Sequence, residues 1–222
     1  MNIFMDKDGI FQWGSIAAFV SLLAAFIAAS ASIWSSKKNA QIQKEIAQQN
    51  IDANLKASAR IDWIQNVRLL EVEYIDDSNV FMKCANSIID HQVRYLECWA
   101  IFNDEQGVFI EAKAINKYLE DLENSLTRIQ KNYLLLRLYF GKNVEDLQVI
   151  DAAFYIKENV ERIKQLLVQS HRKIELLRLD NLRQDQSILY QVSEDLESSI
   201  EYFIIFARDY NKTEWDRAKI GE

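Results

Sequence analysis

The stretch from Gly9 to Ser36 contains no charged residue, and it constrains the fold of this chain more than any other feature of the sequence. Trp13 and Trp34 lie near its two ends. At about 1.5 Å of rise per residue, a helix separates these tryptophans by roughly 31 Å, which matches a hydrocarbon core about 30 Å thick with aromatic rings at each interface. Residues 1–36 are therefore predicted to form a short N-terminal tail and a transmembrane helix.

A cleaved signal peptide is the alternative, because Ala29-Ser30-Ala31 resembles a small-residue cleavage site. The flanks disfavour it: Asp6-Lys7-Asp8 is acidic, and the apolar run exceeds the about 7–15 residues of a signal sequence. Lys7 alone precedes the run, whereas several cationic residues follow it. This asymmetry predicts a single-pass protein of the bacterial inner membrane, with the N-terminus outside and the C-terminal part in the cytoplasm. The cationic residues that follow are Lys37, Lys38, Lys44, Lys56 and Arg60.

Small residues recur at steps of three and four along one face of this helix, while the opposite face is bulky. Small faces allow close approach of helix backbones in lipid. We therefore expect self-association into a homo-oligomer through this small-residue stripe; the alternative is that the spacing reflects the general abundance of alanine in membrane helices. The stripe consists of Gly14, Ala17, Ser21, Ala24, Ala28 and Ala31.

The remainder of the chain is predicted to be all-α. It lacks proline, and residues 37–58 are rich in Gln, Lys and Ala, so the membrane helix should continue as a helical juxtamembrane stalk. Glu45, Gln49 and Asp52 interrupt its apolar frame, which favours a solvated single helix over a sustained coiled coil.

Residues 59–222 are predicted to form a cytoplasmic up-and-down antiparallel helical bundle. A dense apolar pattern at 61–96 predicts one or two helices, and apolar residues recur at steps of three and four in three later segments, 115–140, 149–177 and 188–210. Asp76–Asn79, Asn103–Gly107, Gly141 and Asp180–Asp185 are the predicted interruptions, with Gly141 in a left-handed helix-ending position. An extended coiled-coil rod is less economical, because short turns let each helix bury its stripe within its own chain.

Two runs, Tyr133–Phe140 and Tyr202–Ala207, are apolar on nearly every side of a helix. Neither is long enough to cross a bilayer. A central position in the bundle is one explanation, and a subunit interface is the other.

Catalytic and metal-binding signatures are not found in the sequence. The residues three before His91 and His171 are Ile88 and Val168, so the Glu-x-x-His pairs of di-iron bundles are absent. Cys84 and Cys98 fit no zinc spacing and, in the cytoplasm, are expected to be ordinary thiols. We therefore predict no cofactor, no metal and no enzymatic activity, although an enzyme with an unfamiliar bundle site is an alternative.

The charge balance disfavours nucleic acid as a partner. The net charge is −7, and Lys7 with Asp6 and Asp8 contributes −1 of it, which leaves −6 from Lys37 onward. An acidic surface is poorly suited to binding phosphate backbones. The stretch Arg162–Arg183 is mildly basic but is interleaved with acids, which is typical of a solvated face.

One local group of residues suggests a docking surface. On a helix, an aromatic side chain and two aliphatic ones share a flank with two guanidiniums, and Trp and Arg often dominate binding energy at interfaces. The alternative is that Trp63 and Ile64 begin the bundle core while the arginines pair with acids such as Asp62 and Glu71. The members of this flank are Arg60, Trp63, Ile64, Val67 and Arg68.

The apolar N-terminal helix, the Gln/Lys-rich stalk and this Arg-x-x-Trp-Ile-x-x-Val/Leu-Arg string together resemble a loose group of uncharacterised bacterial single-pass membrane proteins. The resemblance covers about the first third of the chain. It implies a bacterial membrane protein with a helical cytoplasmic part and carries over no activity or catalytic residue.

We expect a non-enzymatic interaction, scaffold or regulatory protein that is held at the membrane and binds an unknown cytoplasmic protein. The alternative is a membrane effector, such as a toxin or phage-defence component, whose small-residue helix oligomerises and perturbs the bilayer. The lack of charge in the span weakens an ion-channel version of that alternative.

Overall fold

The computed structural model describes residues 13–141, 143–176 and 178–220. They form four helices, α1 (Trp13–Glu97), α2 (Glu105–Tyr139), α3 (Val144–Glu175) and α4 (Leu179–Ile220), and α1 ends in a π-helical turn, Cys98–Phe102. The described residues contain no β-strand, which confirms the predicted all-α class. The tail preceding Trp13, with Lys7, and Leu177 of the third predicted apolar segment lie outside the described residues.

The chain divides into two compact units, Met1–Lys56 and Ala57–Glu222. The described part of the first unit is entirely helical, as the stalk prediction requires, and its side chains from Ala17 to Lys56 are all exposed. Among the described residues, α1 alone is long and apolar enough to cross a membrane, with a mean hydropathy of 2.3 over an 18-residue window of which 0% is buried.

The second unit is an up-and-down bundle in which successive helices run antiparallel. Residues near one end of each helix contact residues near the opposite end of the next, and α4 returns alongside α1. The polar contacts that define this order are Arg128–Asp77 and His91–Glu111 (α1 with α2), Asn159–Ser199 and Lys173–Asp185 (α3 with α4), and Asn211–Glu71 and Arg183–Glu97 (α4 with α1). Because the helices fold back on one another, the alternative of an extended coiled-coil rod is excluded.

Tyr74 on α1 lies at the centre of this bundle. Its hydroxyl donates to the carbonyl of Ala153 on α3 at 2.9 Å, and its ring packs edge-on against Phe203 of α4 at 5.8 Å and beside Tyr133 of α2 at 6.5 Å. One side chain thus contacts all three other helices. The heptad positions of α2 and α3 face this core as predicted, whereas Ile188 of α4 is exposed and Leu189 is buried in its place.

Two predicted interruptions are wrong. Asp76–Asn79 lies within α1 and Asp180–Asp185 lies within α4. In both places a buried acid is paired across the bundle: Asp77 accepts hydrogen bonds from Arg128 at 2.6 Å, and Asp185 accepts from Lys173 at 2.6 Å. These tertiary partners satisfy the polar groups that locally favour a turn.

The predicted breaks at Asn103–Gly107 and Gly141 are confirmed, because α1 gives way to α2 at the first and α2 to α3 at the second, although the geometry at Gly141 differs from that expected. Asn103 adopts a left-handed conformation with φ 51°, and Asp104 caps α2 by accepting a hydrogen bond from the Gly107 N–H at 3.0 Å. The predicted left-handed conformation of Gly141 is not found; α2 ends on an extended Phe140, and the Gly141 N–H donates to Asp146 Oδ2 at 2.9 Å. An added Cβ at Gly141 would lie 2.8 Å from that carboxylate oxygen, so the glycine permits a close approach.

A central position for the two apolar runs is also wrong. Leu134 and Leu138 of the first run are 58% and 80% exposed, and Tyr202, Ile204 and Ile205 of the second are between 42% and 47% exposed. Each run buries one side only. The interface explanation therefore stays a prediction for the outward sides.

Candidate functional site

The predicted docking flank on α1 contributes to the packing of the bundle. Ile64 and Val67 are fully buried. Trp63 is half-buried and packs edge-on against Phe140 at 6.1 Å and Tyr210 at 6.0 Å, and those two rings contact each other at 5.0 Å. A partner cannot reach the aliphatic members, and the tryptophan completes an aromatic cluster formed with α2 and α4.

The two arginines of the flank have different environments. Arg60 Nε lies 3.2 Å from Glu214 Oε2, and Glu214 is also 2.6 Å from Arg217. Arg68 is exposed, and its charge acts on the buried Glu71 carboxyl. The flank as a whole therefore fits the packing interpretation, although the acid paired with Arg60 comes from α4 and not from the neighbouring turn of α1.

The small-residue stripe of the first unit is open along its whole length. All six residues, from Gly14 to Ala31, are exposed. At Gly14 an added Cβ would meet no atom within 4 Å. Self-association through the stripe stays a prediction, and the bulky face of the same helix is equally open, with Phe26 74% exposed.

A cleft of about 520 Å³ opens between α1, α2 and α3. It exists because α3 packs closely along α4 but much less closely along α2. The walls and floor consist of aliphatic side chains, and the rim carries Lys164, His171 and Arg172 of α3 opposite Glu123 of α2. The aliphatic residues are Ile88, Leu119, Leu122, Leu126, Leu167 and Val168.

A buried polar atom and a second hollow accompany this cleft. Gln92 lines it, is 2% exposed, and its side-chain oxygen accepts no hydrogen bond within the described part of the chain. The second hollow, of about 190 Å³, shares His171 with the cleft and extends along α2 to Ala112. The sequence predicts a solvated face for Arg162–Arg183 and shows no metal-ligand spacing at His171. The sequence shows the spacing of the cations on α3, but it does not show how far apart α2 and α3 lie in the bundle.

A buried carboxyl that forms no ion pair with any described residue lies elsewhere in the core. Glu71 is 5% exposed, and its Oε2 accepts a hydrogen bond from Asn211 Nδ2 at 2.6 Å. Glu71 Oε1 and Asn211 Oδ1 are both buried with no hydrogen-bond partner among the described residues. Burial raises the pKa of Glu71 to about 7, against the smaller lowering effects of the Asn211 hydrogen bond and the Arg68 charge. Glu71 is therefore poised to change charge near neutral pH.

An exposed apolar tip lies at the turn between α1 and α2. Its side chains, three of them aromatic, are between 50% and 70% exposed. Contiguous exposed apolar groups of this kind are typical of interaction surfaces. The apolar tip consists of Trp99, Ile101, Phe102, Phe109 and Ile110.

The histidines and cysteines do not converge on a reactive centre. His91 pairs with Glu111 and stacks on Tyr118 at 5.5 Å, while Cys84 is buried and Cys98 is half-buried, both as free thiols. Burial raises the pKa of the Cys84 thiol. Within the described ranges, no group of three or more His, Cys, Asp or Glu side chains could hold a metal ion. No protein-family model, curated protein or solved structure matches the chain.

Proposed function

We propose that the protein is a membrane-tethered, non-enzymatic interaction module of the bacterial inner membrane, with its N-terminus outside and its bundle in the cytoplasm. The observation that carries the proposal is the exposure of the uncharged part of α1, where 0% of the most apolar window is buried. Fully burying one large aliphatic or aromatic side chain gains about 1.5–3 kcal/mol. Moving this segment from water into lipid therefore gains several kcal/mol of transfer free energy from its large exposed side chains. These side chains are Phe19, Leu22, Leu23, Phe26 and Ile27.

The direction of insertion follows from the cations. Lys37 and Lys38 come directly after the apolar stretch and Lys44 lies two turns further on, whereas Lys7 alone precedes it. Cytoplasmic flanks carry the excess of Lys and Arg. The same cations attract anionic headgroups of the inner leaflet, which steadies the orientation.

Tethering is tested on the full chain expressed in bacteria. It should remain in the membrane pellet after alkaline carbonate washing, and a C-terminal green fluorescent protein should fluoresce while a C-terminal alkaline phosphatase stays inactive. Leu22→Arg combined with Phe26→Arg should release the chain into the wash, whereas the matched exposed pair Leu134→Arg and Leu138→Arg in the bundle should not. Recovery of the unaltered protein in the soluble fraction, or an active phosphatase fusion, refutes the proposal.

Self-association is tested in the same membranes. Ala24→Ile and Ala28→Ile place branched side chains on the small-residue stripe and should abolish a chemically cross-linked oligomer. Leu23→Ile and Ile27→Leu alter the bulky face of the same helix with little change in volume and should leave it intact. An oligomer that survives the first pair excludes the stripe as the interface.

The apolar tip is the surface that we assign to a cytoplasmic protein partner. A photo-crosslinking residue placed at Phe102 or Phe109 should give a discrete cross-linked band in cells, and the band should disappear when Trp99 is replaced by Ser. The same residue at Val144, which is 74% exposed and lies at the start of α3, away from the tip, is the matched control. Equal labelling from Val144 and from the tip argues against a defined docking surface.

A membrane-potential dye separates a scaffold from an effector. Overexpression of a scaffold should leave the dye signal unchanged. Depolarisation that requires Ala24 and Ala28 overturns the scaffold proposal and supports the effector.

A further inference from the structure

We propose that the cleft between α1, α2 and α3 binds a single-chain amphiphile that has a long aliphatic tail and an acidic head group, the chemical class of a long-chain fatty acid. This inference goes beyond tethering, because it assigns a small-molecule ligand to the bundle itself. It rests on the size, lining and rim charge of the cleft.

The size of the cleft suits a single chain. Its volume of about 520 Å³ falls within the roughly 300–1,000 Å³ typical of ligand pockets. With the smaller hollow beside it, the groove follows α2 from Leu126 to Ala112, about 21 Å at 1.5 Å per residue. An acyl chain that fills half of a hydrocarbon core about 30 Å thick needs roughly 15 Å. The groove is therefore long enough for such a chain.

A partner helix is too large for the same space. A helix about 10 Å across and 21 Å long occupies on the order of 1,600 Å³, which is more than twice the combined volume of the cleft (about 520 Å³) and the smaller hollow (about 190 Å³). The lining of the cleft also favours a flexible chain over a planar ring system, because its described apolar side chains are aliphatic; Tyr95 borders only the smaller hollow.

The rim charge selects the head group. Lys164 and Arg172, with His171 between them, lie on the α3 edge, and Glu123 is the acid of the opposite edge. Lys164 lies 3.8 Å from the half-exposed Glu161, and this weak pair leaves the charge of Lys164 available to a second anion. The excess of cations over the single acid of the rim favours a carboxylate head.

The test uses the full chain in lipid nanodiscs and three photoactivatable probes with the same 16-carbon diazirine chain: a carboxylic acid, an alcohol and a primary amine. Mass spectrometry locates the cross-links. Labelling of residues 13–36 reports partition into the bilayer and normalises the three probes. The acid should label peptides spanning 115–126 and 164–174 at least fivefold more than the alcohol or the amine does.

Two variants test the location and the charge. Val168→Trp fills the mouth of the cleft and should abolish cleft labelling; Val168 is 51% exposed, so the bundle has room for the larger side chain. Val72→Trp, at a 55% exposed valine outside the cleft, is the matched control. Lys164→Gln with Arg172→Gln should reduce labelling by the acid to the level of the alcohol, and circular dichroism melting verifies that each variant is folded.

Three results overturn the proposal: labelling by the acid that is confined to residues 13–36, cleft labelling that survives Val168→Trp, and equal cleft labelling by acid and alcohol. The normalisation by residues 13–36 rests on the proposed membrane insertion, whereas the comparison of Val168→Trp with the unaltered protein does not, so a failure of the cleft is distinguishable from a failure of tethering.

Discussion

Replacement of Glu71 by Gln is expected to stabilise the bundle above neutral pH. Burial raises the pKa of Glu71 from 4.5 to about 7 in the folded protein. Between these two values the folded state holds a proton that the unfolded state has released. Since stability rises with pH only where the unfolded state binds more protons, the free energy of unfolding should fall as the pH rises through this window.

The magnitude follows from the same two values. At about 1.4 kcal/mol per pH unit, the interval from 4.5 to about 7 corresponds to about 3 kcal/mol. Glu71 is only 5% exposed, so screening by water is slight. A glutamine keeps an oxygen that accepts from Asn211 Nδ2, and it supplies an N–H group beside Asn211 Oδ1, which has no donor among the described residues. We expect Glu71→Gln to match the original protein within about 1 kcal/mol at pH 5 and to exceed it by about 3 kcal/mol at pH 8.

The assay is chemical unfolding of the full chain in nanodiscs at pH 5, 6, 7 and 8, followed by tryptophan fluorescence and circular dichroism. Glu73→Gln is the matched control, since Glu73 is exposed two residues further along the same helix. The control should show no pH-dependent gain. A Glu71→Gln effect of the same size at every pH refutes the reasoning, because the protonation of Glu71 would then not be linked to folding. A loss of stability at pH 8 also refutes it, because the fold would then stabilise the ionised carboxylate.

Three further substitutions test the packing described above, each by equilibrium unfolding of the full chain. Trp63→Ala should lower the free energy of unfolding by about 3 kcal/mol or more and Arg68→Ala by less than about 0.5 kcal/mol, whereas two small effects would favour a docking role for the flank. Tyr74→Phe removes the hydrogen bond across the core and should cost about 1 kcal/mol; no loss would mean that the hydroxyl is equally well solvated when unfolded. Gly107→Ala places a Cβ against the capping carboxylate of Asp104 and should cost about 1–2 kcal/mol, and a neutral result would show that the cap shifts freely.

Heptad spacing predicted the inward faces of the helices because it depends on the geometry of a single helix. Side chains three and four positions apart share a face, whatever the neighbour is. The segment from Ile115 to Phe140 therefore buries or half-buries every predicted position, and Tyr133 and Phe140 carry aromatic contacts that no spacing rule specifies. The fold class followed from the same rule, together with the lack of proline.

Polar runs misled the sequence reasoning because their partners are distant in the chain. Asp77 contacts Arg128, which lies 51 residues further along the chain. Arg60 contacts Glu214, and these two residues lie near opposite ends of the bundle sequence. Locally, Asp, Ser and Asn compete with the helix for backbone hydrogen bonds, so a run of them predicts a turn. In the folded bundle Asn132 also donates to Asp77, at 3.2 Å, and the paired acid then supports an unbroken α1.

The cleft could not be foreseen for a different physical reason: periodicity specifies which side of a helix is apolar, but the distance between helices depends on which side chains meet across the gap. α3 packs closely along α4, where Asn159 donates to Ser199 and Lys173 donates to Asp185. On the α2 side, Leu122 and Leu167 line a gap that neither closes. The cations of α3 border this gap. The stretch Arg162–Arg183, which the sequence predicts to be a solvated face, therefore supplies the charged rim of an aliphatic groove. An acidic amphiphile is the ligand that matches both parts of that groove at once.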